Sequence, residues 1–312
     1  MASKEIRGIF AEILAEEMAK DKRIAVIDAD LAKCNGTMGL RKLYPDRAFD
    51  VGIAEQNMAG IAAGMATCGM IPFISSFTPF ATRRICDQIA VSIALAKCNV
   101  KIVGSDPGIT AQLNGATHMS VEDVGVVRSI PSLVIYEPVD AEQFRQAMPQ
   151  IINYDGPVYI RMFRKAIDDV FTAPDYKFDL FKADTIKEGK DVTIFATGIM
   201  VQETMKALKT LEELGIDAEV INIHTIKPID REAVIASAKK TRAVVVAENH
   251  NIIGGLGSAV AEVLGEECPT IMKRIGIKDR FGQVGKLPFL QEEYEMTDKH
   301  IVEAVKEVIA KK

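Results

Sequence analysis

Two consecutive α/β domains with largely parallel sheets are predicted by three observations. Short apolar runs alternate with longer segments of helical period over nearly all of the 312 residues, the pattern of repeated strand–helix–strand units. The alternation breaks once, in a polar stretch after Lys165, and then resumes. The length is that of two domains at roughly 150 residues each, enough for each to bury its own core.

Each element follows from its residues. MASKEIRGIFAEILAEEMAKD carries charges among its apolar positions and predicts an amphipathic helix over 5–20 rather than a signal peptide. The first strand is IAVID from Ile24, apolar throughout as a strand covered on both faces must be. A Gly- and Ala-rich helix is predicted over 55–69, the strand IPFISSF from Ile71, a helix over 80–98 and the strand VKIVGSD from Val100. Ser120 and Asp123 mark the start of a helix over 120–129, and the strand SLVIYEP from Ser132 follows. Pro138-Val139-Asp140 opens a helix over 140–153, and PVYIRMF from Pro157 is the last strand of the domain. KAIDDVFTAPDYKFDLFKADTIKEGK has no steady period and predicts a linker over 166–190 between domains at 1–165 and 191–312. The second domain reads as strand DVTIFATG, helix 201–214, strand DAEVINIHTIKP, helix 230–240, strand AVVVAEN, a Gly-rich turn into a helix, and a last helix from Asp298.

Composition excludes several classes. The net charge of −5, with no basic run beyond the terminal AKK, argues against nucleic acid or an anionic membrane as partner. No stretch approaches the ~18 apolar residues of a membrane span. Five scattered cysteines without a C-x-x-C pair indicate a reducing compartment, and a cytoplasmic location is expected. Four histidines without ligand spacing predict no protein-only metal site. No phosphate-binding G-x-x-x-x-G-K-[ST] loop occurs. Gly254-Gly255-Leu256-Gly257 does not complete G-x-G-x-x-G and reads as tight strand-to-helix packing.

Three segments carry candidate chemistry. Glu55 opens the helix in FDVGIAEQNMAGIAAGMATCGM. An acidic residue there stabilises a helix by roughly 0.3–1 kcal/mol without any function, yet strand-to-helix junctions of α/β sheets are also where ligands bind. SDPGITAQLNGATHMSVEDVG is a long Gly-rich loop in which His118, the one histidine of the first domain, has small or polar neighbours, which favours a site role over core packing. Phe77 and Phe80, spaced i and i+3, read by themselves as core. Arg161 and Arg164 in YIRMFRK are the cations best placed for an anionic group, since the guanidinium fork suits phosphate. Strand alternation puts them on opposite faces, so one site uses one of them more than the other.

Taken together, DVGIAEQNMAGIAAGMA, FISSFTPF, GATHMSVEDVGVVRSIP, PVYIRMFRK and AENHNIIGGLGSAVAEVL, in this order over essentially the whole chain, resemble the C-terminal portion of transketolase. The resemblance implies a pyrimidine-binding domain followed by the transketolase C-terminal domain. It also implies ketol transfer with thiamine diphosphate between a ketose phosphate and an aldose phosphate, the chemistry of pentose phosphate metabolism. The G-D-G motif with which the family holds the cofactor's diphosphate and Mg²⁺ is absent from the sequence, so the chain resembles one subunit of a split enzyme. An N-terminal, diphosphate-binding subunit would hold the Mg²⁺ and complete the active site at the interface, in an α2β2 heterotetramer containing a second copy of this chain.

By the same resemblance Glu55 corresponds to the carboxyl that bonds the pyrimidine ring nitrogen, where a dry setting favours retention of a proton. Phe77 and Phe80 correspond to the aromatic pair at that ring, with Phe80 the better placed for stacking. His118 corresponds to a histidine that contacts the donor sugar, Arg164 to a phosphate-binding arginine with Arg161 second, and Asp30 in IDADLAKC to an acidic residue near the cofactor and the subunit contact. Two positions depart from the family. Asn114 stands where many members carry an acidic residue that reads the donor hydroxyls, and Asp106 where many carry a further substrate histidine, so the sugar pair is left open. The alternatives are a deoxyxylulose-phosphate synthase, the β subunit of a 2-oxo acid dehydrogenase and, in another class, a non-catalytic interaction subunit retaining the fold.

Overall fold

The computed structural model describes residues 5–312. In the first part of the chain the strands are β1 (Ile24–Asp28), β2 (Ala48–Asp50), β3 (Ile71–Phe77), β4 (Lys101–Ser105), β5 (Val134–Tyr136) and β6 (Val158–Met162). The α-helices are α1 (Ile6–Lys20), α2 (Ala32–Asn35), α3 (Leu40–Leu43), α4 (Glu55–Thr67), α5 (Thr78–Ala81), α6 (Asp123–Val127) and α7 (Ala141–Asn153). The second part contains β7 (Asp184–Lys187), β8 (Val192–Ala196), α8 (Met200–Glu213), β9 (Ala218–Asn222), β10 (Thr225–Lys227), α9 (Arg231–Thr241), β11 (Ala243–Asn251), α10 (Leu256–Glu267), β12 (Ile271–Ile277), α11 (Leu287–Glu293) and α12 (Asp298–Ile309).

Two sheets result, ordered β10-β5-β6-β4-β3-β1-β2 and β12-β11-β8-β9-β7. Every pairing is parallel except β10 with β5 and β7 with β9. Both faces of the first sheet are covered, which is why β1, β3, β4 and β6 are buried end to end. α1 and α7 bury Phe10, Leu14, Phe144 and Met148 on one face. On the other, Met58 and Ala62 of α4 pack with Ile89 and Ile93. The alanines and glycines of α4 allow that close approach.

Several elements differ from the sequence reading. The helix expected over 80–98 is broken into α5, a 3₁₀ turn over 83–85 and a π-helical stretch over 88–95. Thr82 makes the break, its hydroxyl bonded back to the Thr78 carbonyl at 2.7 Å and its backbone outside the helical region at φ −131°, ψ −81°. The helix expected over 120–129 is reduced to the five residues of α6. The run DAEVINIHTIKP is two strands in different sheets. β9 ends at Asn222, the chain turns through Ile223 and His224, and β10 adds an antiparallel edge to the first sheet. β2 and β12 are additional, the one only three residues long and the other an edge strand carrying Lys273 and Arg274.

Residues 166–183 form no helix or strand but lie strapped along α7. Asp140 caps α7 through the Gln143 N–H (2.8 Å) and accepts from the N–H groups of Val170 and Phe171 (both 2.7 Å). Gln146 and Gln150, on successive turns of the same face, accept from the N–H groups of Phe178 (3.0 Å) and Leu180 (2.9 Å). β7 then joins the second sheet.

Candidate functional site

Parallel α/β sheets place their binding loops at the carboxyl ends of the strands, and the candidate residues lie there. Asp30 follows β1, Glu55 follows β2, and Phe77 and Phe80 stand at the end of β3. Asp106, Asn114 and His118 follow β4, and Arg164 follows β6. Segments remote in sequence are thus brought to one rim of the first sheet.

Glu55 is the first residue of α4 and is 4% exposed, although its neighbours Gln56 and Asn57 are open to solvent. One carboxylate oxygen accepts from Arg84 Nη1 at 2.8 Å. The Arg84 guanidinium lies 3.8 Å from the centre of the Phe80 ring, so a cation spans the buried acid and the aromatic face. His118 packs edge-on against both aromatics, 5.2 Å from Phe80 and 5.9 Å from Phe77 between ring centres. Its Nδ1 is bonded to the Thr117 hydroxyl at 2.8 Å. The Arg164 guanidinium lies 4.8 Å from the centre of the Phe77 ring. Glu55, Arg84, Phe80, His118, Phe77 and Arg164 therefore form a continuous run of contacts along the rim.

The His118 loop is fixed from the second sheet. Asn249 of β11 accepts from the Ile109 N–H at 2.9 Å and donates to the Pro107 carbonyl at 2.9 Å. Gly108 is required between them, because it has φ +53° and a Cβ there would fall 2.2 Å from Asn249 Oδ1. Asn114 lies on the exposed part of this loop, after a kink at Gln112 (φ 51°, ψ −117°). Asp30 is exposed, has φ 60°, and donates its N–H to Asp50 at 3.1 Å. Asp50 in turn pairs with Arg41. No hydrogen bond or ion pair joins the Asp30 side chain to the Glu55 cluster among the described residues.

Arg161 is a correction to the sequence reading. As the second candidate for an anionic substrate it should reach solvent, but it is 1% exposed and fully engaged. Its Nε donates to Asp123 (2.7 Å), Nη1 to Glu137 (2.7 Å) and Nη2 to Asp123 (3.1 Å) and to the Asn249 carbonyl (2.5 Å). Burial opposes the charge on Asp123, but the guanidinium holds that carboxyl below the usual range; on Glu137 burial wins and pushes the carboxyl up. Arg161 is a clamp between the two sheets. Alternation separated it from Arg164 but could not tell which face held the clamp.

The Gly254-Gly255-Leu256-Gly257 turn has its own occupant. Glu248 accepts from the N–H groups of Leu256 (2.6 Å) and Gly257 (2.9 Å) at the start of α10. Arg84 and Asn249 escaped the sequence reading. Arg84 stood within an apparent helix, and Asn249 lies in the other domain. Among the described residues no group of three or more His, Cys, Asp or Glu is placed to hold a metal ion, and no helix is long and apolar enough to cross a membrane.

Comparison with known proteins places the chain in a family. The family model of the transketolase pyrimidine-binding domain matches residues 2–168, and that of the transketolase C-terminal domain matches residues 181–301. The chain is 53% identical over 307 residues to the 6-deoxy-6-sulfo-D-fructose transketolase subunit of Clostridium sp. (strain MSTE9), covering 98% of this chain and 95% of that one. It is 38% identical over 274 residues to an apulose-4-phosphate transketolase subunit of Phocaeicola vulgatus, covering 88% and 87%. A solved structure described as a split gene transketolase, an inactive beta4 tetramer, superposes with a TM-score of 0.89 at 42% identity and covers 99% of both chains. The chain belongs to the transketolase family.

Proposed function

We propose that this chain is the C-terminal subunit of a two-chain transketolase, moving a two-carbon ketol unit from a ketose to an aldose with thiamine diphosphate. The observation that carries this reading is the placement of a buried carboxylate, Glu55, beside an aromatic cluster at the carboxyl rim of the sheet. The residues present suit an aminopyrimidine: a carboxyl in Glu55 that can share a proton with its ring nitrogen, and apolar ring faces in Phe77 and Phe80 to orient it and exclude water. Thiamine diphosphate supplies, when bound, a nucleophilic carbon that no side chain offers. Glu55 would hold the proton at the pyrimidine nitrogen, taking the ring in place of Arg84. His118, its Nδ1 held by Thr117, would present Nε2 to a hydroxyl of the donor sugar. Arg164 would receive the anionic end of the sugar, while Asn114 and Asp30 would stand at the edges of the site.

In this reading residues 1–165 form the pyrimidine-binding domain, 166–190 the linker and 191–312 the C-terminal domain. A companion chain carries the diphosphate with Mg²⁺, in a cytoplasmic α2β2 assembly acting on sugars of the pentose phosphate type or their close relatives. Two relatives described as subunits, and a β-only tetramer described as inactive, support the need for a companion.

The test is reconstitution. The chain purified alone should give no ketol transfer. Adding a companion containing the diphosphate motif should produce transfer that depends on thiamine diphosphate. Turnover by the isolated chain would end the two-chain reading, and a complex inactive on every ketose tried would end the ketol-transfer reading.

A further inference from the structure

We propose that Asp106 sets the charge of the Arg164 subsite, so that the sugar end received there carries one negative charge, as a sulfonate or a singly protonated phosphate, rather than two. The proposal rests on the ketol-transfer reading and names the substrate class within it.

Arg164 lies at the end of the rim cluster, 13% exposed, with its guanidinium beside Phe77. Its charge is already partnered. Nε donates to Asp106 Oδ2 at 2.6 Å, Nη2 pairs with the same oxygen, and the Arg164 N–H donates to Asp106 Oδ1 at 3.2 Å. Asp106 cannot easily turn away. It is 2% exposed, sits in the left-handed region at φ 54°, and has its own N–H bonded to the Met162 carbonyl at 2.9 Å. Arg7 and Glu5 lie beside this pair. Arg7 Nη1 reaches the Cys34 carbonyl at 3.3 Å, the same oxygen that Arg164 Nη1 approaches at 3.5 Å, while Arg7 Nε donates to Glu5 at 2.7 Å. The half-buried Cys34 belongs to the same group.

Two cations thus face two carboxylates. With both pairs in place the subsite has no net charge, so a second negative charge on the ligand gains as much repulsion from the carboxylates as attraction from the arginines, while desolvating a dianion costs more than desolvating a monoanion. Glu5 is exposed and can swing into water, whereas Asp106 is fixed, so Asp106 is the discriminating residue. It acts through Arg164 and on the ligand's charge, and has no part in bond making.

The experiment compares two donors in the two-chain complex: 6-deoxy-6-sulfofructose, a monoanion at all pH values above about 5, and fructose 6-phosphate, which loses its second proton near about pH 6. The wild-type complex should favour the sulfonate at least about tenfold in kcat/KM at about pH 8. With the phosphate, kcat/KM should rise as the pH falls through about 6; with the sulfonate it should stay flat. Asp106→Asn should reduce the preference at least about tenfold, chiefly through KM, and flatten the phosphate profile, whereas Asp106→Glu should keep both. Calorimetric titration of each donor into the complex separates this proposal from the reading beneath it. Preference for the monoanion without turnover removes ketol transfer and leaves the charge assignment standing. Equal use or equal affinity for the two donors at about pH 8, or a ratio unmoved in Asp106→Asn, overturns the assignment.

Discussion

At the residue scale the site turns on Glu55 and its neighbour Arg84. The buried carboxylate is paired with an arginine that is 42% exposed and can turn into solvent. A cofactor ring can therefore take Arg84's place at small cost. Glu55→Gln keeps the shape and removes the exchangeable acid. Ketol transfer in the two-chain complex should fall by about 10²- to 10⁴-fold, while calorimetric affinity for thiamine diphosphate should change less than about tenfold. A loss of activity of only a few-fold would remove Glu55 from the chemistry. Glu55 stood out in the sequence, but its helix-start position had an ordinary explanation, and only the family resemblance tipped the balance. Phe77 and Phe80 went further, because their spacing by itself pointed to the core.

At the element scale, the crossover between β9 and β10 carries a titratable group whose effect on stability is opposite in sign to that of two buried carboxyl groups. His224 is completely buried between Thr225 (3.0 Å) and the Lys182 carbonyl (2.7 Å), and burial lowers its imidazole to about 4 from 6.5. Between pH 6.5 and 4 the unfolded chain binds a proton there that the folded chain refuses, so acidification removes stability, by about 3 kcal/mol in total. Asp28 and Asp184, pushed up to about 6 mainly by burial, act the other way. Over roughly pH 4 to 6 the folded state holds their protons more tightly, so acidification adds stability. His224→Asn should therefore leave a protein whose urea midpoint rises, or falls less, as the pH is lowered from about 6.5 to about 4. An unchanged slope would show that another group titrates. Short elements such as β2 escaped the sequence for a plain reason: three residues carry no period.

At the scale of the whole molecule, the two sheets are joined by a buried charge cluster as well as by β10. Arg161 of β6 binds Asp123, Glu137 and the β11 carbonyl of Asn249, while Thr197 donates to Glu137 at 3.2 Å. Asn249 also staples the His118 loop, so the second sheet positions the rim of the first. Arg161→Leu leaves two buried carboxylates without their cation, and stability should fall by about 3–5 kcal/mol, read as a lower urea midpoint. A change below about 1 kcal/mol would mean that the sheets are held by apolar packing alone.

Alternating apolar runs and helical periods were enough for the fold class, because a strand buried on both faces must be apolar and a covering helix must show one apolar face. The order of the chemically distinctive segments was enough for the family. Charge partnership was decided only in three dimensions. Arg161 and Arg164 are neighbours along the chain and alike in sequence, yet one is enclosed by Asp123 and Glu137 and the other pairs with the buried Asp106 while remaining partly open to solvent. Hydrogen bonds join residues remote along the chain, as Arg161 to Asn249 does across 88 positions, and no local pattern encodes such a partner.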